Sequence, residues 1–382
     1  MPDVERPRAL IIGAGIGGLA AAVSLTRAGF RTTVLERAAE TRELGFALLL
    51  AANAMRALRL LGVADRILAE AEVGTVGELR AADGHVLKSV KLDSLRRLTG
   101  EDAVCATRQV LHGTLLEAAR GSELRTSARV VRFEQHPAGV EVELEGGERL
   151  AGDVLVGADG IHSIVRKQLH GDALRASSFV AYRGICHGSW PVTGSQYFGR
   201  GIEAGVARAG GDLIYWYISA TQRVARGSLD SKQTLLETIQ GFDPALIALV
   251  ERTDVREMRR DELADRVPLT RWGDQRVTLL GDAAHPMLPH AGQGAAQALE
   301  DAVVLGRCLS ANGDLRAALR RYEQLRISRT THIVQLARRN AQVGSIESKV
   351  ICTLRDWVLK YGPAAMLEKQ LVSLARVDLE AT

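Results

Sequence analysis

The sequence predicts an α/β protein: a parallel sheet opened by a β-α-β unit, a second, antiparallel sheet inserted into it, and a helical C-terminal tail. Three observations lead there. A short apolar run, ALII at 9–12, ends in a glycine-rich turn that opens an alanine-rich helix, and TTVLE follows at 32–36. Between about 175 and 265 the texture changes to segments of β character that carry many of the aromatic residues. From 315 to 380 the pattern is helical throughout.

Each element has its own reason. ALII is a buried parallel strand, because a short apolar run bounded by a turn has no polar face to show solvent. GAGIGGLAAAVSLTRAGF is a helix whose alanine-rich centre can lie close on a sheet, and Gly29 ends it. TTVLE is the second strand. Residues 45–61 give an apolar stretch, Asn53, and a helical pattern to Leu61. VGELRAADGHVLKSVKL, 76–92, is a hairpin turning at Asp83-Gly84, a dipeptide that tight hairpin turns favour. Arg108 opens the helix RQVLHGTLLEAA. The segment 128–160 alternates apolar and polar residues and then runs into the buried strand DVLVGADG, so it is a meander followed by a strand. SFVAYRGICHGSW and DLIYWYISAT belong to the inserted antiparallel sheet. RVTLLGD, 276–282, is again a buried strand, and a helix spans 294–309. The expected division is 1–75, 100–175 and 266–345 as one discontinuous domain, 76–99 and 176–265 as the sheet domain, and 346–382 as the tail. In the tail helix 347–376, Val350, Leu354, Val358 and Leu359 stand among charges and are expected to pack on the domain rather than against a membrane surface.

Composition excludes several classes. At about 150 residues per domain, 382 residues suggest two to three domains. Hydrophobic residues at 46% and charged residues at 25% are ordinary for a globular chain and rule out a disordered one. The net charge is only +4, and the basic residues, arginine far more often than lysine, are spread along the chain. No clustered basic footprint exists, so no nucleic-acid partner is expected. Cys105, Cys186, Cys308 and Cys352 form no CxxC pair, and the nine histidines show no HxxxH spacing, so no metal and no disulfide framework is expected. With no secretory signal in MPDVERPR and no run of roughly 18 apolar residues, the expectation is a cytoplasmic protein, monomer or homodimer.

Three segments carry chemistry. Gly13, Gly15 and Gly18 form GxGxxG between a strand and a helix. The first glycine makes the turn, the second lets a pyrophosphate approach the backbone, and the third lets helix and strand pack closely. The helix N-terminus then offers N–H groups and positive potential to phosphates. Glu36 ends the next strand, where a carboxylate can accept hydrogen bonds from an unphosphorylated ribose. In VLVGADGIHSIVRKQL, 154–169, Asp159 lies between Gly157 and Gly160 at a strand end. In LLGDAAHPMLPHAGQGAAQALEDA, 279–302, Asp282 ends a strand, and Gly292 and Gly294 precede a helix whose free N–H groups could stabilise negative charge.

Together, in this order and spacing, the three segments resemble the FAD-dependent aromatic monooxygenases of the para-hydroxybenzoate hydroxylase fold. The resemblance covers roughly residues 8–340 and is closest to single-component hydroxylases acting on salicylate-like, nicotinate-like and urate-like rings. It implies a Rossmann-like FAD-binding domain with the inserted sheet as substrate domain. Gly13, Ala14, Gly15, Gly17 and Gly18 would surround the FAD pyrophosphate, with Glu36, and Arg37 beside it, at the adenosine ribose. Arg108 matches an arginine that contacts FAD phosphate or ribityl oxygens, and Arg42 is placed like a second phosphate-side arginine. Val130 matches a position whose backbone meets the adenine. Asp159 belongs to a segment linked in the family to both FAD and NAD(P)H. Asp282 would meet the ribityl chain, and Gly292, Gly294 and Ala295 would face the isoalloxazine. There are departures: Ala47 and Ala52 replace a glycine and a proline, Ala296 replaces an asparagine, and Leu49 replaces the histidine of nicotinate-type enzymes.

The resemblance implies chemistry that asks little of side chains: NADH or NADPH reduces the flavin, O2 adds to it, and a flavin C4a-hydroperoxide delivers oxygen to a ring. The protein positions the ring and excludes water. Candidate pocket residues are His290 and Pro289, in the loop that should pass the flavin's reactive edge; Tyr215 and Tyr217, on one strand face with Trp216 on the other; and Arg183 and His187. His290 and Tyr217 are the candidates for catalysis, and Arg183 could hold an anionic substrate or a structural ion pair. The apolar stretch around Leu49 hints at a greasy small-molecule substrate. Alternatives are an epoxidase or oxidative rearrangement enzyme of natural-product biosynthesis, and a flavoprotein that captures an intermediate without NAD(P)H turnover. A flavin halogenase is not expected, because YWYIS at 215–219 is not a WxWxIP segment. A nicotinamide dehydrogenase would leave the Asp159 and Asp282 segments unexplained.

Overall fold

A computed structural model of the chain describes residues 6–41, 46–225, 232–310 and 313–379. Arg8–Ile12 and Arg31–Leu35 are adjacent parallel strands, joined by the helix Ile16–Arg27. The alanines of that helix do what their size allows: Ala20, Ala21 and Ala22 are completely buried against the sheet. The parallel sheet has five strands in the order Val277–Leu279, Val154–Gly157, Arg8–Ile12, Arg31–Leu35, Glu123–Arg125. A parallel sheet is covered on both faces, so its central strands are apolar throughout. Leu10, Ile11, Leu155 and Val156 are all fully buried, and each such side chain stabilises the fold by about 1.5–3 kcal/mol.

The first helix touches the helix Gly294–Ser310 at small residues. A Cβ on Gly17 would lie 3.3 Å from that of Ala298, and one on Gly306 would collide with Ser24 Oγ. This close crossing sets the loop after Ile12 beside the loop after Leu279.

The second sheet has seven strands in the order Met258–Asp265, Arg175–His187, Leu213–Thr221, Ile202–Arg208, Gly194–Phe198, Val76–Ala81, Val86–Lys91. The expected hairpin, with Gly84 at φ +92°, forms its edge. Among the described residues all its pairings are antiparallel except that of Gly194–Phe198 with Val76–Ala81. The same region holds two helices that its β texture hid, Lys232–Thr238 and Pro244–Arg252. The second starts with Pro244 after Asp243, whose carboxylate accepts from the Ala245 N–H at 2.9 Å. Leu246, Leu249 and Val250 cover the back of the sheet over Tyr197 and Trp216.

The tail is three helices rather than one continuous run: Leu315–Gly344, Lys349–Tyr361 and Ala364–Ala375. Gly362-Pro363 breaks the helix expected over 347–376, since proline offers no N–H to continue it. The long helix ties the two sheets together. Near its start Tyr322 donates to the Leu279 carbonyl at 3.1 Å, and near its end Arg338 pairs with Asp265. One packing expectation fails. Lys349–Tyr361 buries Cys352 and Arg355, which reach the Gly199 carbonyl, and half-buries Leu359. Val350, Leu354 and Val358 point away, 78%, 59% and 50% exposed. The apolar positions form two sets, and only one faces the protein. Among the described residues no helix is long and apolar enough to cross a membrane.

Candidate functional site

The glycine loop shows three different needs. Gly13 has φ +102°, and a Cβ there would come within 2.5 Å of the Ala158 carbonyl oxygen. A Cβ on Gly18 would collide with the Gly13 carbonyl oxygen. Gly15 is different, because a Cβ there meets nothing within 4 Å. The chain itself requires glycine at 13 and 18, but not at 15. The helix that follows has no side-chain cap, so its first N–H groups have no intrahelical partner and the positive end of its dipole lies over the open space. This arrangement fits a pyrophosphate.

The loop is held ready by two groups. Glu36 accepts from the Ala14 N–H with one oxygen and from the Ala38 N–H with the other, both at 2.8 Å. Each oxygen keeps a further acceptor site for a ribose hydroxyl. His112, buried on the helix Arg108–Ala118, bonds through Nε2 to the Ala14 carbonyl at 2.8 Å. The sequence alone did not single out His112. Arg37, exposed to solvent, follows Glu36. The Ala128 N–H donates to the Glu36 carbonyl at 2.8 Å, which sets the strand beginning at Val130 beside this end of the site. Arg42 lies outside the described residues.

Asp159 and Asp282 follow two neighbouring strands of the parallel sheet. Asp159 Oδ2 accepts from the Ile164 N–H at 2.8 Å, while Oδ1 is buried with no protein partner. Burial raises its pKa against the pull of Ser163. That orphaned oxygen suits a hydroxyl or amide donor from a bound group. Asp282 follows the strand Val277–Leu279 in a short 3-10 turn. Its side chain is open to solvent, yet protein surrounds it on most sides, and this loss of bulk water raises its pKa while His285 and Arg108 oppose the shift. Arg108 is fixed by its own N–H, which donates to the Phe46 carbonyl at 2.6 Å. Gly292 takes φ +60°, Gly294 opens the next helix with its Cβ position 3.9 Å from Asp282 Oδ1, and Ala295 is half-buried beside it.

Beneath this loop runs a buried polar network. His285 Nε2 lies 2.6 Å from Asp301, and Asp301 also accepts from the Gly281 N–H and from Arg326 Nε. Arg326 and Arg329 both bind Glu300, which also accepts from Asn53 and Gln297. Burial works to raise both carboxyl pKa values, but the neighbouring cations win and both are lowered. The sequence signal was Glu300-Asp301 in the middle of an otherwise apolar helix.

On the inserted sheet, Tyr215, Tyr217 and Ser219 share a face, and Trp216 is fully buried on the other. Tyr215 packs with Ala47 and Cys105. Leu48 and Leu50 turn into the core, so Leu49 shares the face of Ala47, and it is 56% exposed. The Tyr217 O–H donates to Glu203 at 3.0 Å, and Gln196 donates to the same oxygen at 2.9 Å. Burial pushes the Glu203 carboxyl up to about 7, against its two hydrogen bonds and Arg355. His290 follows exposed Pro289, lies 3.0 Å from Ser219 Oγ, and packs on the Phe179 ring. Burial, with Arg183 nearby, depresses its pKa to about 4, so it is neutral at pH 7. Arg183 binds Asp261 at 3.1 Å. His187 lies apart, paired with Asp212 at the exposed end of its strand.

A chain of electrostatic neighbours, Asp282 with Arg108, Arg108 and Arg183 with Tyr215, and Arg183 with His290, links the Asp282 loop to the inserted sheet. Glu203, Gln196 and Ser219 join it without having been singled out in the sequence.

Residues 6–337 match the family model described as an FAD binding domain. The chain is 36% identical to the aurachin C monooxygenase/isomerase of Stigmatella aurantiaca over 92% of this chain and 93% of that protein. It is 34% identical to the 3-hydroxybenzoate 6-hydroxylase of Klebsiella oxytoca over 88% of each. Among solved structures, HpxO of Klebsiella pneumoniae complexed with FAD and uric acid superposes with a TM-score of 0.88 at 26% identity, covering 97% of this chain and 96% of that one.

Proposed function

The chain belongs to the FAD-dependent aromatic monooxygenases, and on that premise we propose that it uses NADH or NADPH and O2 to hydroxylate an aromatic or similar ring in a cleft between the parallel sheet and the inserted sheet. The observation that carries this reading is that Arg108 lies near both Asp282 and Tyr215, with the exposed apolar Leu49 on the same strand face as Ala47, against which Tyr215 packs. The bound flavin supplies electrons and an activated oxygen atom. The chain does the rest. In this reading Gly13, Ala14, Gly15, Gly17 and Gly18 surround the pyrophosphate, Glu36 and Arg37 the ribose, and Val130 the adenine. Arg108, Asp159 and Asp282 bind the middle of the cofactor, and Gly292, Gly294 and Ala295 face its ring.

Leu49, Pro289 and the two tyrosine rings enclose the substrate and keep water out. Tyr217 keeps acceptor capacity after donating to Glu203. It can therefore take a proton from a ring hydroxyl or N–H while passing its own to Glu203, an acceptor poised near neutrality. His290 acts as a neutral wall held by Ser219. Arg183 stays with Asp261.

A second reading, oxygen insertion followed by rearrangement, is favoured by the exposed apolar Leu49 and by the monooxygenase/isomerase relative. The test begins with an absorbance spectrum, where oxidised flavin gives bands near roughly 370 and 450 nm. NADH and NADPH oxidation is then followed with aromatic acids, phenols and quinolones. Ligand-stimulated oxidation with a product one oxygen heavier supports the proposal, and a rearranged product supports the second reading. A flavin-loaded protein that consumes neither nucleotide with any ligand overturns both in favour of a capture protein.

A further inference from the structure

The helix Lys349–Tyr361 carries a complete apolar face turned to solvent. Val350, Ile351, Leu354, Trp357, Val358 and Tyr361 are 78%, 50%, 59%, 59%, 50% and 63% exposed. At 100° per residue they fill one arc of about 120°. Together they leave on the order of 600 Å² in contact with water, at the top of what a monomer's largest patch ordinarily reaches. Single exposed apolar residues need no explanation, but a whole helix face does.

The chemistry around the face is specific. The chain has seven lysines against 49 basic residues in all. Five of the seven lie on this flank: Lys349 and Lys360 on the helix rim, Lys369 on the next helix, and Lys88 and Lys91 on the edge strand against which the helix packs. Lys88 donates to the Gly362 carbonyl, which anchors the helix end to that strand. The exposed Arg96 and Arg97 follow on the adjoining helix Asp93–Thr99. Among the side chains described, Asp356 is taken up by Arg355, Glu347 by Arg223 and Asp102 by Arg96, which leaves Asp93 at the start of its helix. The apolar face thus carries a Trp and a Tyr within a basic surround, the composition that seats a helix in the plane of an anionic lipid surface. A second copy fits less well. A stable dimer buries about 800 Å² per partner, and a two-fold pairing of this helix would bring two lysine rims together.

We propose that the Lys349–Tyr361 helix is a reversible docking surface for anionic lipid bilayers, with Trp357 and Tyr361 at the headgroup level. The proposal does not depend on the reaction assigned to the cleft. It is tested with the full-length, FAD-loaded protein and vesicles of phosphatidylcholine, either alone or in a two-to-one mixture with phosphatidylglycerol. Co-sedimentation and tryptophan emission are the readouts. Trp190, Trp216 and Trp272 are all under a tenth exposed, so a vesicle-induced blue shift reports Trp357 and vanishes in Trp357→Phe. The expected result is binding to the mixed vesicles at low salt, weakened at high salt. Leu354→Ser/Val358→Ser, and separately Lys349→Glu/Lys360→Glu, should each weaken it about tenfold or more. Neither pair contacts the flavin cleft, so unchanged flavin absorbance checks that the variants are folded. No pelleting and no blue shift with mixed vesicles overturns the proposal. So does a dimer, seen by sedimentation velocity, that Leu354→Ser/Val358→Ser dissociates while vesicle binding is absent. That outcome would assign the face to a second copy.

Discussion

Replacing Gly15 by alanine separates what the chain needs from what its cofactor needs. Gly15 sits at φ −74°, ψ −178°, an extended conformation that alanine adopts freely, and its Cβ would meet nothing within 4 Å. The deflavinated variant should therefore be as stable as the parent, or firmer by about 0.4–1 kcal/mol through a less flexible unfolded chain. With FAD the proposed site predicts the reverse, because the new methyl would occupy the space through which phosphate oxygens are proposed to reach the first N–H groups of the helix. Losing one charge-assisted hydrogen bond costs about 1.5–3 kcal/mol, so FAD affinity should fall roughly ten- to a hundredfold. Gly18→Ala is the counterpart. Its Cβ collides with the Gly13 carbonyl oxygen, and overpacking of that kind costs about 1–3 kcal/mol of stability whether or not FAD is present. Thermal melts of the two apoproteins and a flavin fluorescence titration decide the matter. If Gly15→Ala holds FAD as tightly as the parent, the open space over Gly15 is not the phosphate site.

Further expectations follow from the buried charges. Arg326→Met leaves Glu300 and Asp301 short of a common partner and should cost about 3–5 kcal/mol in urea unfolding; a loss under 1 kcal/mol would show that Arg329 and His285 suffice. Glu203 has a folded pKa raised from 4.5 to about 7, so the folded state holds the extra proton and stability falls as pH rises through that window, by on the order of 3 kcal/mol. Glu203→Gln should flatten the fall in stability curves taken between pH 4 and 8, and in the enzyme it should displace or abolish a neutral limb of the pH–kcat profile. His290 works the other way. Its folded pKa is lowered from 6.5 to about 4, so stability is complete above pH 6.5 and is lost as pH falls toward 4, and His290→Asn should lessen that acid loss in the same melts.

The legible part of this protein was the part written in short windows. The β-α-β unit announces itself through a strand-length apolar run, glycines at fixed offsets and an acid at the next strand end. Asp159 and Asp282 are legible for the same reason, since each ends a strand within one motif. Contacts made across the chain left no such mark. Asn53 and Glu300 are 247 residues apart, and Glu203 meets Tyr217 only because two strands happen to be in register. Strand alternation placed Tyr215 and Tyr217 on one face but could not say which way a hydroxyl points. The helices at 232–252 were too short to stand out among strands. The 349–361 helix shows the limit of periodicity most directly: it revealed an apolar face but not whether protein covers it.

The single parallel pairing in the inserted sheet has a consequence for how the chain is made. The hairpin 76–91 leaves the ribosome long before the segment that completes it, because Gly77 pairs with Gly194, more than a hundred residues later. At bacterial or eukaryotic synthesis rates the wait is roughly 5–25 s, during which Val76–Ala81 is an open edge able to pair with another nascent chain. Closing this loop also carries the entropy cost of a distant contact, which slows folding. The parallel sheet closes loops at least as long, Ala9 to Val154 and Leu155 to Val277, so on refolding from denaturant the local hairpin 76–91 should gain hydrogen-exchange protection first, with both sheets protected in a later phase.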